Sequence, residues 1–336
     1  MSSRHNAFAV IAAAAVVLVA TAASAQPAPR PEVRAELKRL ADGAGGVLGA
    51  CIASGGPIAC INGERPMPMQ SVMKLIVAIA ALDAADRGVW SLDDQFTLQR
   101  QDIVPFNSPI AQQIEQQVGD RGYRTSLSDL ITRAVIDSDS TAADFLIARL
   151  GGPAAVQDVL RRKAVAGVRL DRDERHLQTE TLGLTWRPAY ASPAAMRAAE
   201  AAVAPAARDA AFRAYRLDPR DTTTPRGMAV LLLRLSKGEL LSKRSTGFLL
   251  ATMERTRTFP TRLKAGTPVG WRIAHKTGTS GGWRGVTAAT NDVGLLRAPD
   301  GRTIAVAAFL ADSTAPASKR DRVIADVARI AAGARS

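Results

Sequence analysis

The segment Val72 to Asp86 carries Leu, Ile, Val and Ala nearly all round a helical circumference. A helix that is apolar on every side cannot lie on a surface; other elements must wrap it. The fold is therefore layered about a central helix. The composition can supply the wrapping, because 47% of the 336 residues are hydrophobic and only 22% are charged. That balance excludes disorder and collagen-like or coiled-coil order, and the length suits one large or two intergrown domains. Three histidines and two cysteines are too few for a typical zinc or iron–sulfur site, so neither a metal nor a cofactor is expected.

Around that helix the pattern changes twice. Glu32 to Asp42 reads as a short amphipathic helix with Val33, Leu37 and Leu40 on one face. Val47 to Cys60 follows as a tight hairpin about Gly55-Gly56. Counting outward from the turn sets Cys51 opposite Cys60 at a non-hydrogen-bonded pair, where the Cα separation of ~4.5 Å suits a disulfide. From Leu92 to about Thr256 the chain is mostly helical, as in Ser128–Ile136, Thr141–Leu150 and Met228–Leu235. Thr224-Pro225 reads as an N-cap with proline at the first helical position. Strand signals return in Arg272–Lys276, Val286–Leu296 and Thr303–Ala311, before a closing helix over Ser318–Ala332. The ends of the chain then form one sheet. This is a mixed α/β fold: an antiparallel sheet with flanking terminal helices, built from 26–85 and 257–336, plus an all-helical lobe over 86–256. Within the lobe, the alanine-rich stretch 179–217 is expected to form two short helices, divided at Ser192-Pro193 and Pro205, as a surface insertion.

Residues 1–25 read as a secretory signal peptide: Arg4 and His5 precede an apolar run from Ala7 to Ala20 that ends in Ala23-Ser24-Ala25. The expected product is secreted or periplasmic, without a stable membrane anchor. Lys and Arg exceed Asp and Glu by 44 to 31, a formal net charge of +13. The positive residues are scattered arginines rather than aromatic-interleaved runs, which favours solubility over nucleic-acid binding. A monomer acting on small molecules is expected.

Ser71-Val72-Met73-Lys74 is the chain's S-x-x-K, placed where the buried helix begins. A serine there sits in the positive end of the helix dipole, and a lysine three residues on shares its face, close enough to hold or take the hydroxyl proton. Alone the motif is weak, since serine is also a common N-cap. It is accompanied by Ser138-Asp139-Ser140, by Glu174 within Leu170–Gln178, and by Lys276-Thr277-Gly278-Thr279 at a strand end. A second serine can relay a proton, a second lysine can bind a carboxylate, and a strand edge can offer a backbone N–H to an oxyanion.

This set resembles the class A serine β-lactamases, whose signature it is. The likeness runs from about Val47 to the last helix, apart from 179–217. It implies a β-lactamase/transpeptidase-like fold and turnover of β-lactams without a cofactor. Carried over position by position, Ser71 is the acylating nucleophile, Lys74 its helix partner, Ser138 the proton relay and Glu174 the carboxylate that activates the deacylating water. Lys276, Thr277 and Gly278 line the substrate strand, and the backbone N–H groups of Ser71 and Thr279 form the oxyanion hole. Arg262 resembles an arginine used as an additional carboxylate contact, with a solvated charge as the alternative. Gln70 and the His275–Ser280 run resemble a branch with extended-spectrum members, which implies cephalosporins among the substrates.

Three features depart from the family pattern. Ser140 replaces a usual Asn that contacts the substrate's acylamide, and Gln178 replaces an Asn that helps Glu174 hold its water. Arg172 and Asp221 resemble the ion pair closing the omega loop, although the insertion lies between them. A D,D-peptidase-like penicillin-binding enzyme shares S-x-x-K and K-T-G but lacks the counterpart of Glu174; a non-catalytic envelope-binding module is the remaining alternative.

Overall fold

The computed structural model describes residues 31–117 and 121–333. The expected signal peptide 1–25 lies outside the described residues. In chain order the elements begin with α1 (Pro31–Asp42), β1 (Val47–Ala53), β2 (Ala59–Ile61), β3 (Met67–Pro68) and α2 (Met73–Asp86). The 86–256 span follows with β4 (Gln95–Leu98), α3 (Pro109–Gln117), β5 (Tyr123–Ser126), α4 (Leu127–Ile136), α5 (Ser140–Leu150), α6 (Pro153–Arg162) and α7 (Glu174–Thr181). It is not all helical as expected, because β4 and β5 pair within it. Next come α8 (Pro193–Ala201), α9 (Pro205–Leu217), β6 (Thr222–Thr223), α10 (Pro225–Ser236), α11 (Lys243–Glu254) and the single turn α12 (Leu263–Gly266). The chain closes with β7 (Arg272–Thr279), β8 (Gly282–Trp283), β9 (Val286–Arg297), β10 (Thr303–Ser313) and α13 (Ala317–Gly333).

The main sheet is antiparallel in the order β2-β1-β10-β9-β7, with β8 also paired to β9. Its long central strands are buried at nearly every position because both faces are covered. Ile304, Val306 and Leu310 of β10 face α1 and α13, where they meet Leu37, Ile324 and Val327. Ala305, Ala307 and Phe309 face the other way, into the core that contains α2 and α10. The period of two thus divides a single strand between two cores.

The hairpin has the expected register. Cys51 lies opposite Cys60, and the two form a disulfide with Cα atoms 4.2 Å apart. Helix α2 is buried at every position from Met73 to Ala84, including Lys74 and Asp83. It is wrapped by α4, α5, α6 and α11. Thr224 caps α10 by accepting from the Gly227 N–H at 3.0 Å, with Pro225 at the first helical position. Helix α10, although within the 86–256 span, packs across β1, β9 and β10 and so joins lobe to sheet. No helix among the described residues is long and apolar enough to cross a membrane.

Candidate active site

Ser71 sits in a 3-10 turn, Gln70–Val72, just ahead of α2. No side chain caps α2, so the Ser71 hydroxyl is not spent on holding the helix end. Two residues beside the site adopt left-handed backbone, Gln70 at φ 48° and Ser138 at φ 58°. Such conformations in non-glycine residues cost energy and persist where surrounding contacts impose them. Here the turn is gripped from behind: Met69 N–H donates to the Asp221 carbonyl at 3.0 Å, and the Asn291 amide donates to the carbonyls of Pro68 at 2.8 Å and Met69 at 3.0 Å. The edge strand β7 runs against the same turn. A Cβ on Gly278 would come within 2.6 Å of the Met69 carbonyl oxygen, so this close approach requires glycine.

One turn along α2, the fully buried Lys74 points its Nζ into a ring of oxygens. These are Ser71 Oγ at 3.1 Å, Ser138 O at 2.7 Å, Ser138 Oγ at 3.4 Å, Ser140 Oγ at 3.0 Å and Glu174 Oε1 at 3.0 Å. An ammonium has three N–H bonds for these five oxygens, so its partners can exchange as charge moves among them. Ser140, expected as a substrate contact, spends its oxygen on Lys74 and keeps its own O–H proton to donate. From β7, Lys276 Nζ donates to Ser138 Oγ at 2.9 Å and to the Thr277 carbonyl at 2.9 Å. Burial, and then the charge of Lys74, holds the Lys276 ammonium well below the usual lysine range. Two buried lysines therefore flank the Ser138 hydroxyl, an arrangement suited to an anionic ligand. Thr277 shares a 2.6 Å hydrogen bond with Thr258, and Thr279 ends β7 beside the Ser71 turn.

Glu174 arrives on α7, whose start is made by Asp173: its side chain accepts from the His176 N–H at 3.0 Å. Gln178 lies one helical turn later, and its Nε2 donates to Glu174 Oε2 at 3.0 Å and to Gln70 Oε1 at 2.9 Å. Glu174 Oε1 has its ion pair with Lys74 but no aligned hydrogen bond. The Ser71 hydroxyl and a buried carboxylate thus share one nitrogen.

The profile of the β-lactamase enzyme family matches residues 32–334. The β-lactamase VEB-1 of Pseudomonas aeruginosa is 30% identical over 273 residues, 80% of this chain and 78% of that protein. The extended-spectrum β-lactamase PER-1 of the same organism is 28% identical over 326 residues, 96% of this chain and 94% of that protein. An ancestral class A β-lactamase (GNCA) superposes with a TM-score of 0.72 at 32% identity, covering 90% of this chain and 100% of that one. The chain belongs to the class A β-lactamases.

In this β-lactamase the neck of the loop bearing Glu174 is an ion-pair knot. Arg172 Nε meets Asp221 Oδ2 at 2.6 Å, and its two Nη atoms reach Glu180 at 2.6 Å and Asp218 at 3.2 Å. Asp221 Oδ1 also accepts the backbone N–H groups of Asp171 at 2.7 Å and Arg172 at 2.9 Å. Arg262 is not a solvated charge. It lies buried behind β7, where it donates to Asp321 at 2.8 Å, to the carbonyls of Gly278 at 3.1 Å and Asn291 at 3.0 Å, and to Thr279 Oγ1 at 2.8 Å. Its cation therefore reaches the site through Thr279.

Sequence reasoning missed Asp144. This buried carboxylate on α5 accepts the backbone N–H groups of Glu174 at 2.7 Å and Arg175 at 3.0 Å, and Arg175 Nε at 2.9 Å, fixing the first turn of α7. Burial, with the charge of Asp173, pushes its carboxyl up to about 7 against the pull of Arg175. A folded-state value above the ordinary one means that the stabilising contribution is present at low pH and is lost as pH rises through about 7. Asp144→Asn, which cannot ionise, is expected to gain in melting temperature relative to the parent between about pH 5 and about pH 8. A difference that stays constant across that range would show that Asp144 does not titrate there.

The alanine-rich stretch is also more than a surface insertion. Phe212 and Tyr215, three residues apart on one face of α9, are buried, and the Tyr215 hydroxyl accepts a hydrogen bond from Gln70 Nε2. The two aromatics at helical spacing were the available signal.

Proposed function

We propose that this β-lactamase opens penicillins and cephalosporins in two acyl-transfer steps. Ser71 Oγ attacks the lactam carbonyl, and the hydroxyl proton leaves through Lys74 or Glu174. Ser138 returns a proton to the departing ring nitrogen as the C–N bond breaks. The backbone N–H groups of Ser71 and Thr279 stabilise the oxyanion, while Lys276 and Thr277 hold the substrate carboxylate. Glu174, assisted by Gln178, then takes a proton from a water whose oxygen attacks the ester, and Ser71 is released.

The observation that supports this reading is the shared nitrogen of Lys74, which lies 3.1 Å from Ser71 Oγ and 3.0 Å from Glu174 Oε1. A penicillin-binding peptidase has no need of a carboxylate there. The extended-spectrum description of the relative PER-1 supports cephalosporins among the substrates. Export by residues 1–25 would deliver the enzyme to an oxidising compartment, in keeping with the Cys51–Cys60 bridge. A monomer is proposed.

The test is to incubate the purified mature chain separately with a penicillin and a chromogenic cephalosporin. Product is expected to accumulate far beyond one equivalent with both. One equivalent of cephalosporin and no more would remove cephalosporins from the substrates; the same result with both compounds would make the enzyme peptidase-like.

A further inference from the structure

We infer that Tyr215, supplied by the insertion, is a positioning residue for deacylation, acting on Glu174 through Gln70 and Gln178. The inference rests on Glu174 being the carboxylate that activates water. The chain of contacts has a direction. Glu174 Oε2 can only accept when ionised, so Gln178 must present Nε2 to it, and the same Nε2 faces Gln70 Oε1. Gln70 must then turn its own Nε2 away from Gln178, toward Tyr215, whose hydroxyl accepts it.

A primary amide is nearly symmetric in shape, and only its partners decide which end is which. Gln70 is buried, so without the phenol oxygen its N–H group would be left unpaired. A flip to relieve that would set the Gln70 and Gln178 amide nitrogens against each other and pull Gln178 from Glu174. Glu174 sets the polarity of the relay, and the Tyr215 hydroxyl holds it by accepting the Gln70 N–H that this polarity turns outward.

An anchor must itself be held, and α9 is also pinned through Asp209. Asp209 accepts from Trp283 Nε1 at 2.6 Å and from Arg284 Nε and Nη2 at 2.6 and 2.8 Å. Buried Phe212 fastens the helix one turn before Tyr215. The insertion thus connects Trp283 of β8 and Arg284 to the Gln70–Gln178 relay that ends on Glu174.

The experiment measures acylation and deacylation separately, by rapid quench and mass spectrometry of the covalent adduct with one good penicillin. Tyr215→Phe keeps the ring and removes the acceptor. It is expected to slow deacylation about five- to tenfold, the effect of one buried neutral hydrogen bond, and to leave acylation unchanged. Because kcat and KM then fall together, kcat/KM is preserved, a split that general destabilisation would not produce. Gln70→Met reads the same link from its other end, so a poorly folding Phe variant does not leave the matter open. The double variant is expected to deacylate no more slowly than Gln70→Met alone.

Equal slowing of both steps, unchanged deacylation, or additive losses in the double variant would overturn the inference. Glu174→Gln serves as the reference. If it arrests deacylation while Tyr215→Phe does not slow it, the role of Tyr215 alone is wrong; if it turns over at the parental rate, the underlying reading of Glu174 fails.

Discussion

Glu174→Gln is expected to react once with a penicillin and then stop. The substitution preserves the shape of the side chain, and its one amide oxygen can still accept from Lys74 while its NH2 group can no longer accept from Gln178, so acylation of Ser71 through Lys74 remains possible. It removes the only buried carboxylate among the described residues that pairs with Lys74. Loss of a positioned general base costs about 10²- to 10⁴-fold, which converts turnover into a stoichiometric burst. Mass spectrometry should find the intact chain increased by one opened lactam and stable for many parental turnover times. Steady hydrolysis by this variant at the undiminished rate would take Glu174 out of the mechanism.

Arg172→Ala is the second large effect. Arg172 is buried with Asp221, and removing it leaves a carboxylate that retains backbone donors but no counter-ion. Breaking one half of a buried pair costs about 3–5 kcal/mol, and the two retained N–H bonds favour the lower end. Burial already raises Asp221 above the ordinary carboxyl value, with Arg172 among the groups opposing that rise. Without the guanidinium the rise is larger, so the variant is expected to lose more stability at neutral and higher pH than at low pH. The kinetic consequence follows from what the knot holds. Asp221 also receives Met69 N–H at its carbonyl, but Glu174 is only two residues from Arg172, so deacylation should slow more than acylation. Melting curves across pH and single-turnover rates check both parts; equal losses in the two steps would mean that the knot does not act on Glu174.

Much of the fold was legible because its signals are local. An apolar circumference required a buried helix, and alternation about Gly55-Gly56 set Cys51 against Cys60 in the register observed. The S-x-x-K spacing is one helical turn, so Ser71 and Lys74 meet whatever surrounds them. Arg262 was harder to read, because the partners that bury it, Gly278, Thr279, Asn291 and Asp321, lie 16 to 59 positions away in the chain. Asp144 and Tyr215 were not readable as site residues at all. They meet their partners across 30 and 145 positions of chain, where no periodicity operates.

The sequence by itself determined the inventory: which groups can attack, relay a proton or carry charge, and which short elements present them. Only the tertiary structure decided how five oxygens gather on Lys74, that Arg262 is a buried brace, and that an insertion reaches back to Glu174. The physical reason is that hydrogen bonding and burial act over a few ångströms. They are decided by which elements pack together, and those neighbours are distant in the chain.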